Sequence, residues 1–235
     1  MTDVLLKIDG LTKDYQTLRP LRIRDLTVRN TDVISIAGID VLGAETLVHL
    51  VTGATLPDTG QVSLFGRNTR DITDGDAWLK SLDGVGMITA RGILVEAFSV
   101  LQNIALSLTL DVDPIDPRVA PQAMALADEA GIAAALFDVA AGRVTADIRM
   151  RVHLARALAL DPKLLIAEHP SAALPRESVA TFGADLAKVA RARHIALLAI
   201  SADDVLSKAI GGSRLELVAA TGELRAVSRI RRLFG

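Results

Sequence analysis

The sequence predicts an α/β fold with a mainly parallel sheet covered on both faces, and three observations carry that prediction. Hydrophobic residues make up 50% of the chain but aromatics only 3%, so the core is aliphatic. The apolar residues fall in short runs of Val, Ile and Leu, such as residues 195–200. These are the length of buried strands and fall far short of the ~20 residues of a membrane-spanning helix. The runs alternate with alanine-rich stretches of helical period.

Residues 4–9 and 21–28 alternate apolar and polar positions and read as strands of an N-terminal β-rich section, the second losing its alternation at Leu26. Residues 33–37 form a compact strand ending at Gly38, and a glycine-bounded loop to Gly43 leads into a buried helix over 44–51. A turn at Pro57, Asp58 and Gly60 precedes a short strand at 61–64. Another strand follows at 85–88, with a loop and a helical turn over 71–82 between the two. Residues 100–110 and 121–135 are helical and are separated by two Asp-Pro pairs, which places a mostly helical subdomain over about 90–160. The most regular helix spans 147–160, with Ile148, Val152, Ala155 and Ala159 on one stripe. Arg149, Arg151 and Arg156 fall largely off that stripe, and the first two read as solvated helix charges. A buried strand at 164–167, a helix over 175–193 and an apolar strand over 195–201 complete a βαβ pattern. Arg229, Arg231 and Arg232 leave a small basic end, too short for a membrane anchor. Length alone fits one large domain or two small ones, and the chain is read here as one over residues 1–235.

Composition excludes several functions. With no cysteine there is no disulfide scaffold, thiolate zinc site or thiol nucleophile. A formal net charge of -2 provides no global field to recruit nucleic acid, and the scarce aromatics provide little surface for base stacking. No nucleic-acid partner is expected. Met1 to Gly10 lacks the apolar core of a secretory leader, so the expected location is cytoplasmic.

The segment 151–174, RVHLARALALDPKLLIAEHPSAAL, resembles the ATP-binding cassette of ABC transporters. In that family a helix reading like RVxxARAL runs into DPKLLLLDEPTSALD, the Walker B strand and D-loop. Other elements fall in the same order. Tyr15 stands where the family's adenine-stacking aromatic lies, Gly38 to Thr46 (GIDVLGAET) where it has the GxxxxGKST phosphate loop, and VLQNIAL at 100–106 just after its Q-loop. The resemblance implies a P-loop NTPase-like cassette with a mainly parallel core sheet, an N-terminal antiparallel β section and a helical subdomain. It also implies ATP and magnesium as ligands, a second cassette as partner in a homo- or heterodimer, and a membrane permease subunit at the inner face of the cell membrane. Within the family, the short opening of the helical subdomain and the compact length look most similar to cassettes of the lipoprotein-release and FtsE-like kind.

The chemistry of the family is missing at most of its positions. A phosphate loop wraps backbone N–H groups around phosphates while a lysine neutralises charge and a hydroxyl holds magnesium. Here Gly38 and Gly43 remain, the lysine position is Ala44, the hydroxyl position is Glu45, and Thr46 follows. These five and Tyr15 are the candidate nucleotide-contacting positions. Ala90 replaces the Q-loop glutamine, and residues 144–148 (VTADI) replace the LSGGQ signature. Glu168 takes the Walker B aspartate position, His169 the catalytic glutamate, Pro175 the D-loop aspartate and Ala202 the switch histidine. Glu168 and His169 are therefore the candidate catalytic residues, with Glu168 the candidate metal ligand. The plainer expectation is that Glu168 pairs with an arginine and that His169 is a locally hydrogen-bonded strand end. His49 and His153 are expected to pack or to lie on the surface. The pattern predicts a cassette kept for its shape, with ATP binding and hydrolysis weak or absent. The competing expectation is an active ATPase that uses Glu168 or His169 as base and Glu45 as metal ligand. A third, from another class, is a soluble scaffold or nucleotide sensor.

Overall fold

A computed structural model describes residues 3–227. Two sheets form its frame. The first is antiparallel and contains β1 (Val4–Lys13), β2 (Leu21–Arg29), β4 (Thr59–Leu64) and β5 (Arg67–Asn68), in the order β2-β1-β4-β5. The second contains β3 (Val33–Ala37), β6 (Val85–Thr89), β7 (Leu164–Glu168), β8 (Ala196–Ile200), β9 (Ser213–Val218) and β10 (Glu223–Ala226), in the order β10-β9-β3-β8-β7-β6. Its pairs are parallel except for the β9–β10 hairpin.

Strands β7 and β8 are buried along their whole length, and the two-residue period of a strand sorts their side chains between two cores. Leu165, Ala167, Leu197 and Ala199 face the helices α3 (Val100–Ala105), α4 (Ala120–Glu129), α5 (Ala146–Leu158) and α6 (Val179–Ala192). Leu164, Ile166, Ala196, Leu198 and Ile200 face α1 (Val41–Val51) and the antiparallel sheet. Burial on both faces explains why these strands read as unbroken apolar runs. No helix among the described residues is long and apolar enough to cross a membrane.

The structure shifts several sequence boundaries. Helix α1 starts at Val41, three residues ahead of the predicted Ala44, because Asp40 caps it. Residues 71–82 contain the helix α2 (Gly75–Ser81), capped by Asp74 and anchored by Trp78, whose indole donates to the Thr52 carbonyl at 2.8 Å. Helix α3 is shorter than predicted; a Ser99/Gln102 capping box starts it, and it ends at Ala105. Helix α4 stops at Glu129, since the chain turns through Gly131 at φ 78°. Helix α6 begins four residues after Pro175, which starts a separate 3-10 turn. The helix α7 (Asp204–Ile210) and the hairpin β9–β10 have no counterpart in the sequence reading. The basic end at Arg229 to Arg232 lies outside the described residues.

Arg151 is the main correction on α5. It is 7% exposed rather than solvated. Its guanidinium donates to Asp147 (3.1 Å), Asp185 (2.8 Å) and the Ala130 carbonyl (2.9 Å), which ties α5 to α6 and to the end of α4.

Candidate functional site

The candidate residues gather at the carboxyl ends of β3, β6 and β7, the edge where open α/β sheets place their ligands. From β3 the chain enters residues 38–46. These do not form an open cradle. Asp40 accepts the Gly43 N–H on its carboxylate at 2.7 Å, and the Ala44 N–H bonds the Asp40 carbonyl at 2.8 Å. Thr46 donates its hydroxyl back to the Leu42 carbonyl at 2.8 Å, one helical turn earlier. Two amides and the surviving hydroxyl are thus bonded within the chain.

Both loop glycines have structural roles here. At Gly38, with φ 83°, a Cβ would lie 2.7 Å from the Leu217 carbonyl oxygen; at Gly43 it would lie 2.9 Å from the Asp40 carboxylate. Only glycine lets the carboxylate close on the helix start. Ala44 is fully buried within the core that faces the antiparallel sheet. The Tyr15 hydroxyl lies 3.5 Å from Asp40, so the tyrosine rests on the closed loop. Beside it is a cavity of ≈ 490 Å³ lined by Tyr15, Arg19, Arg22, Gly38, Asp40 and Leu217, among others.

Glu45 and Glu168 meet through a residue that sequence reasoning did not nominate. Glu168 ends β7 in register with Thr89 at the end of β6, so the chain leaving β6 passes it and brings in Arg91 two residues later. The Arg91 guanidinium forks, with Nη1 on Glu45 and Nη2 on Glu168 Oε1 at 2.6 Å. The Glu168 side chain is 5% exposed, and a carboxylate so buried, if left unpaired, costs on the order of 3–5 kcal/mol. The hydrogen bond with Glu45 is the largest influence on Arg91 and raises its pKa; burial opposes it, and the charges of Glu168 and Glu45 add to the rise. The expected arginine partner of Glu168 is therefore Arg91. No cluster of three or more metal-ligating side chains occurs among the described residues.

His169 departs from its expected role. Its backbone is left-handed (φ 43°) and its N–H bonds the Ile200 carbonyl at 2.9 Å, but its ring Nε2 is buried without a hydrogen-bond partner. At the signature position, Thr145 caps α5 and Asp147 holds Arg151, so the segment serves to start a helix.

His153 packs beneath the loop that carries Arg91. Burial first, then the charges of Arg156 and Arg149, push its pKa down to about 4. The folded protein keeps this imidazole neutral while the unfolded chain protonates it near ~6.5, so stability is complete above that pH and falls as pH drops toward 4. The expected loss is roughly 2–3 kcal/mol. Urea midpoints of the wild type and His153→Gln, compared near pH 7 and near pH 4.5, check this: the variant's pH slope should flatten.

Sequence reasoning missed Asp40 and Arg91. Asp40 carried a readable signal, an Asp directly before a helix start. Arg91 carried none, since its partners lie 46 and 77 positions away in sequence (91 − 45 and 168 − 91).

A parallel sheet whose first strand runs through a glycine-bounded turn into a buried helix, with an acidic strand end beside it, defines the class of P-loop NTPase-like cassettes. The chain belongs to the ABC transporter family, whose model matches residues 21–172. It is 32% identical over 201 residues to the lipoprotein-releasing system ATP-binding protein LolD 2 of Caulobacter vibrioides, covering 83% of this chain and 87% of that protein. It is 25% identical over 213 residues to LolD 1 of Rhodopseudomonas palustris, covering 88% and 93%. Among solved structures, cbiO1 from Clostridium perfringens, part of the transporter complex cbiONQ, superposes with a TM-score of 0.78 at 18% identity, covering 95% of this chain and 88% of that one. The dimeric cassette MJ0796 bound to ADP and Pi gives 0.74 at 19% identity, covering 95% and 98%. These likenesses support the P-loop cassette fold with its parallel core sheet and antiparallel section.

Proposed function

We propose that the chain, as one cassette unit over residues 1–235, is a nucleotide-binding-type subunit of an ABC transporter whose role is structural or regulatory, with weak or absent ATP binding and hydrolysis. Its partners in this reading are a membrane permease subunit, against which it sits on the cytoplasmic face of the membrane, and a second cassette. The family and the names of the LolD relatives support the transporter role.

The observation that carries the loss of nucleotide chemistry is the closed loop: the Gly43 and Ala44 amides are bonded to Asp40, and Ala44 supplies no cation. A triphosphate entering this site meets the carboxylate of Asp40. At an effective dielectric of ~20, each unit charge pair about 4 Å apart contributes about 4 kcal/mol of repulsion. The competing role for Glu45 and Glu168, as ligands of a catalytic metal, is opposed by their shared bond to Arg91. Calorimetric titration of the purified chain with ATP and Mg²⁺ tests the reading. Binding weaker than about 1 mM is expected, and a micromolar Kd overturns it.

A further inference from the structure

We infer that Arg91 is a built-in latch that holds the loop of residues 90–95 to α1 and β7 without nucleotide or metal. This inference rests on the reading of a nucleotide-poor site, since it assigns to a side chain the cationic bridge between Glu45 and Glu168. The loop joins the two cores: Leu94 is buried among the helices, while Arg91 reaches α1, whose buried face belongs to the other core. Almost every residue in it is anchored. Arg91 holds the two carboxylates. Gly92 backs onto the His153 ring, where a Cβ would lie 2.5 Å from the imidazole. The Ile93 carbonyl accepts from Arg156 at 3.0 Å. Val95 is bracketed by Asn103, which accepts its N–H at 2.8 Å and donates to its carbonyl at 3.0 Å. Ile93 is nevertheless 84% exposed, so the loop displays an apolar side chain on a backbone fixed from both sides.

Three of these anchors come from the helical side and only the Arg91 fork comes from α1 and β7. Among the ion pairs and hydrogen bonds of the described residues, the fork is what ties the loop to α1, while Thr89 at the end of β6 holds its start by accepting the Arg91 N–H on its hydroxyl at 3.2 Å and the Gly92 N–H on its carbonyl at 3.1 Å. Its Glu45 arm is half-exposed and its Glu168 arm buried, so the two arms differ in how salt reaches them.

Hydrogen exchange read by mass spectrometry on peptides covering residues 90–97 of the full chain tests the latch. In Arg91→Gln, exchange is expected to accelerate by about tenfold or more, with the α6 peptides unchanged as evidence of a folded chain. Glu45→Gln, which spares the buried pair, should give a smaller acceleration in the same peptides. High salt should speed exchange in the wild type and have no further effect in Arg91→Gln, a difference that loss of packing alone does not produce. Mg-ATP should leave the wild-type loop unchanged. Exchange within about twofold of wild type in both variants, or a wild-type loop that tightens when Mg-ATP is added, overturns the latch. Calorimetric ATP binding with an unresponsive loop and fast-exchanging variants would instead overturn the nucleotide-poor reading and leave the latch standing.

Discussion

Arg151→Ala is expected to destabilise the protein by about 3 kcal/mol and to lower its Tm by roughly 10 °C. The guanidinium is buried and satisfies three acceptors on three parts of the helical side: Asp147 one turn back, Asp185 on α6 and the Ala130 carbonyl at the end of α4. Removing it leaves the carbonyl without its donor and two carboxylates without their counter-ion. The effect is set at the low end for a broken buried pair, because the side chains of Asp147 and Asp185 are 24% and 37% exposed and regain water. Arg151→Lys retains the charge but not the fork, and a single ammonium on a flexible stem cannot reach all three acceptors, so a loss of about 1–2 kcal/mol is expected. Urea unfolding of both variants and of Asp185→Ala checks the result. A double-mutant cycle between Arg151 and Asp185 should give a coupling of about 1 kcal/mol or more. Additive single effects would show that the bond to Asp185 contributes nothing and that Arg151 acts through Asp147, the Ala130 carbonyl and packing.

Arg151 also shows where sequence reading stops. A helical wheel gives the face of a residue but not how deep the neighbouring helices bury it, and Arg151 sits beside Met150 and Val152 on the buried side of α5. The apolar runs of β7 and β8 were legible because strands covered on both faces are filled with apolar side chains, Glu168 at the end of β7 being admitted only with Arg91 as its partner. The hairpin β9–β10 was not, since its residues are half-buried or exposed apart from Leu217 and its burial pattern does not alternate cleanly. The positions of the candidate site were legible through spacing against the family's motifs, but their contacts were not. The start of α1 was placed late because Gly38 and Gly43 were read as bounding a loop, whereas Gly38 makes room for Leu217 and Gly43 for the Asp40 carboxylate that caps the helix. The Arg91 fork joins residues from α1, the loop after β6 and the end of β7, a juxtaposition that the sheet order creates and no local pattern encodes.

Restoring the family's lysine alone is expected to give no gain in ATP affinity. Ala44 is 0% exposed and packed among apolar side chains, so Ala44→Lys forces a long charged chain into a filled core, at about 1–3 kcal/mol for overpacking alone. The Gly43 and Ala44 amides remain bonded to Asp40, so the new cation has no phosphate cradle to complete. Combining Asp40→Gly, Ala44→Lys and Glu45→Ser removes the carboxylate that holds the Gly43 N–H, supplies the cation and takes away the second carboxylate, while the Ala44 N–H keeps its bond to the main-chain carbonyl of residue 40. The first frees the Gly43 N–H and lets the first turn of α1 reopen, with a loss of only a few tenths of a kcal/mol for exchanging an Asp cap for Gly. The third removes a carboxylate and releases one arm of Arg91 toward an incoming phosphate while the other stays on Glu168. Because the three positions share hydrogen bonds or neighbours, their effects are non-additive. The triple variant is expected to bind Mg-ATP at least about 100-fold more tightly than any single variant, a difference of about 2.8 kcal/mol. Calorimetry on the four proteins measures it. An Ala44→Lys variant that binds as tightly as the triple variant would show that the missing cation, and not the closure of the loop by Asp40, is what keeps nucleotide out.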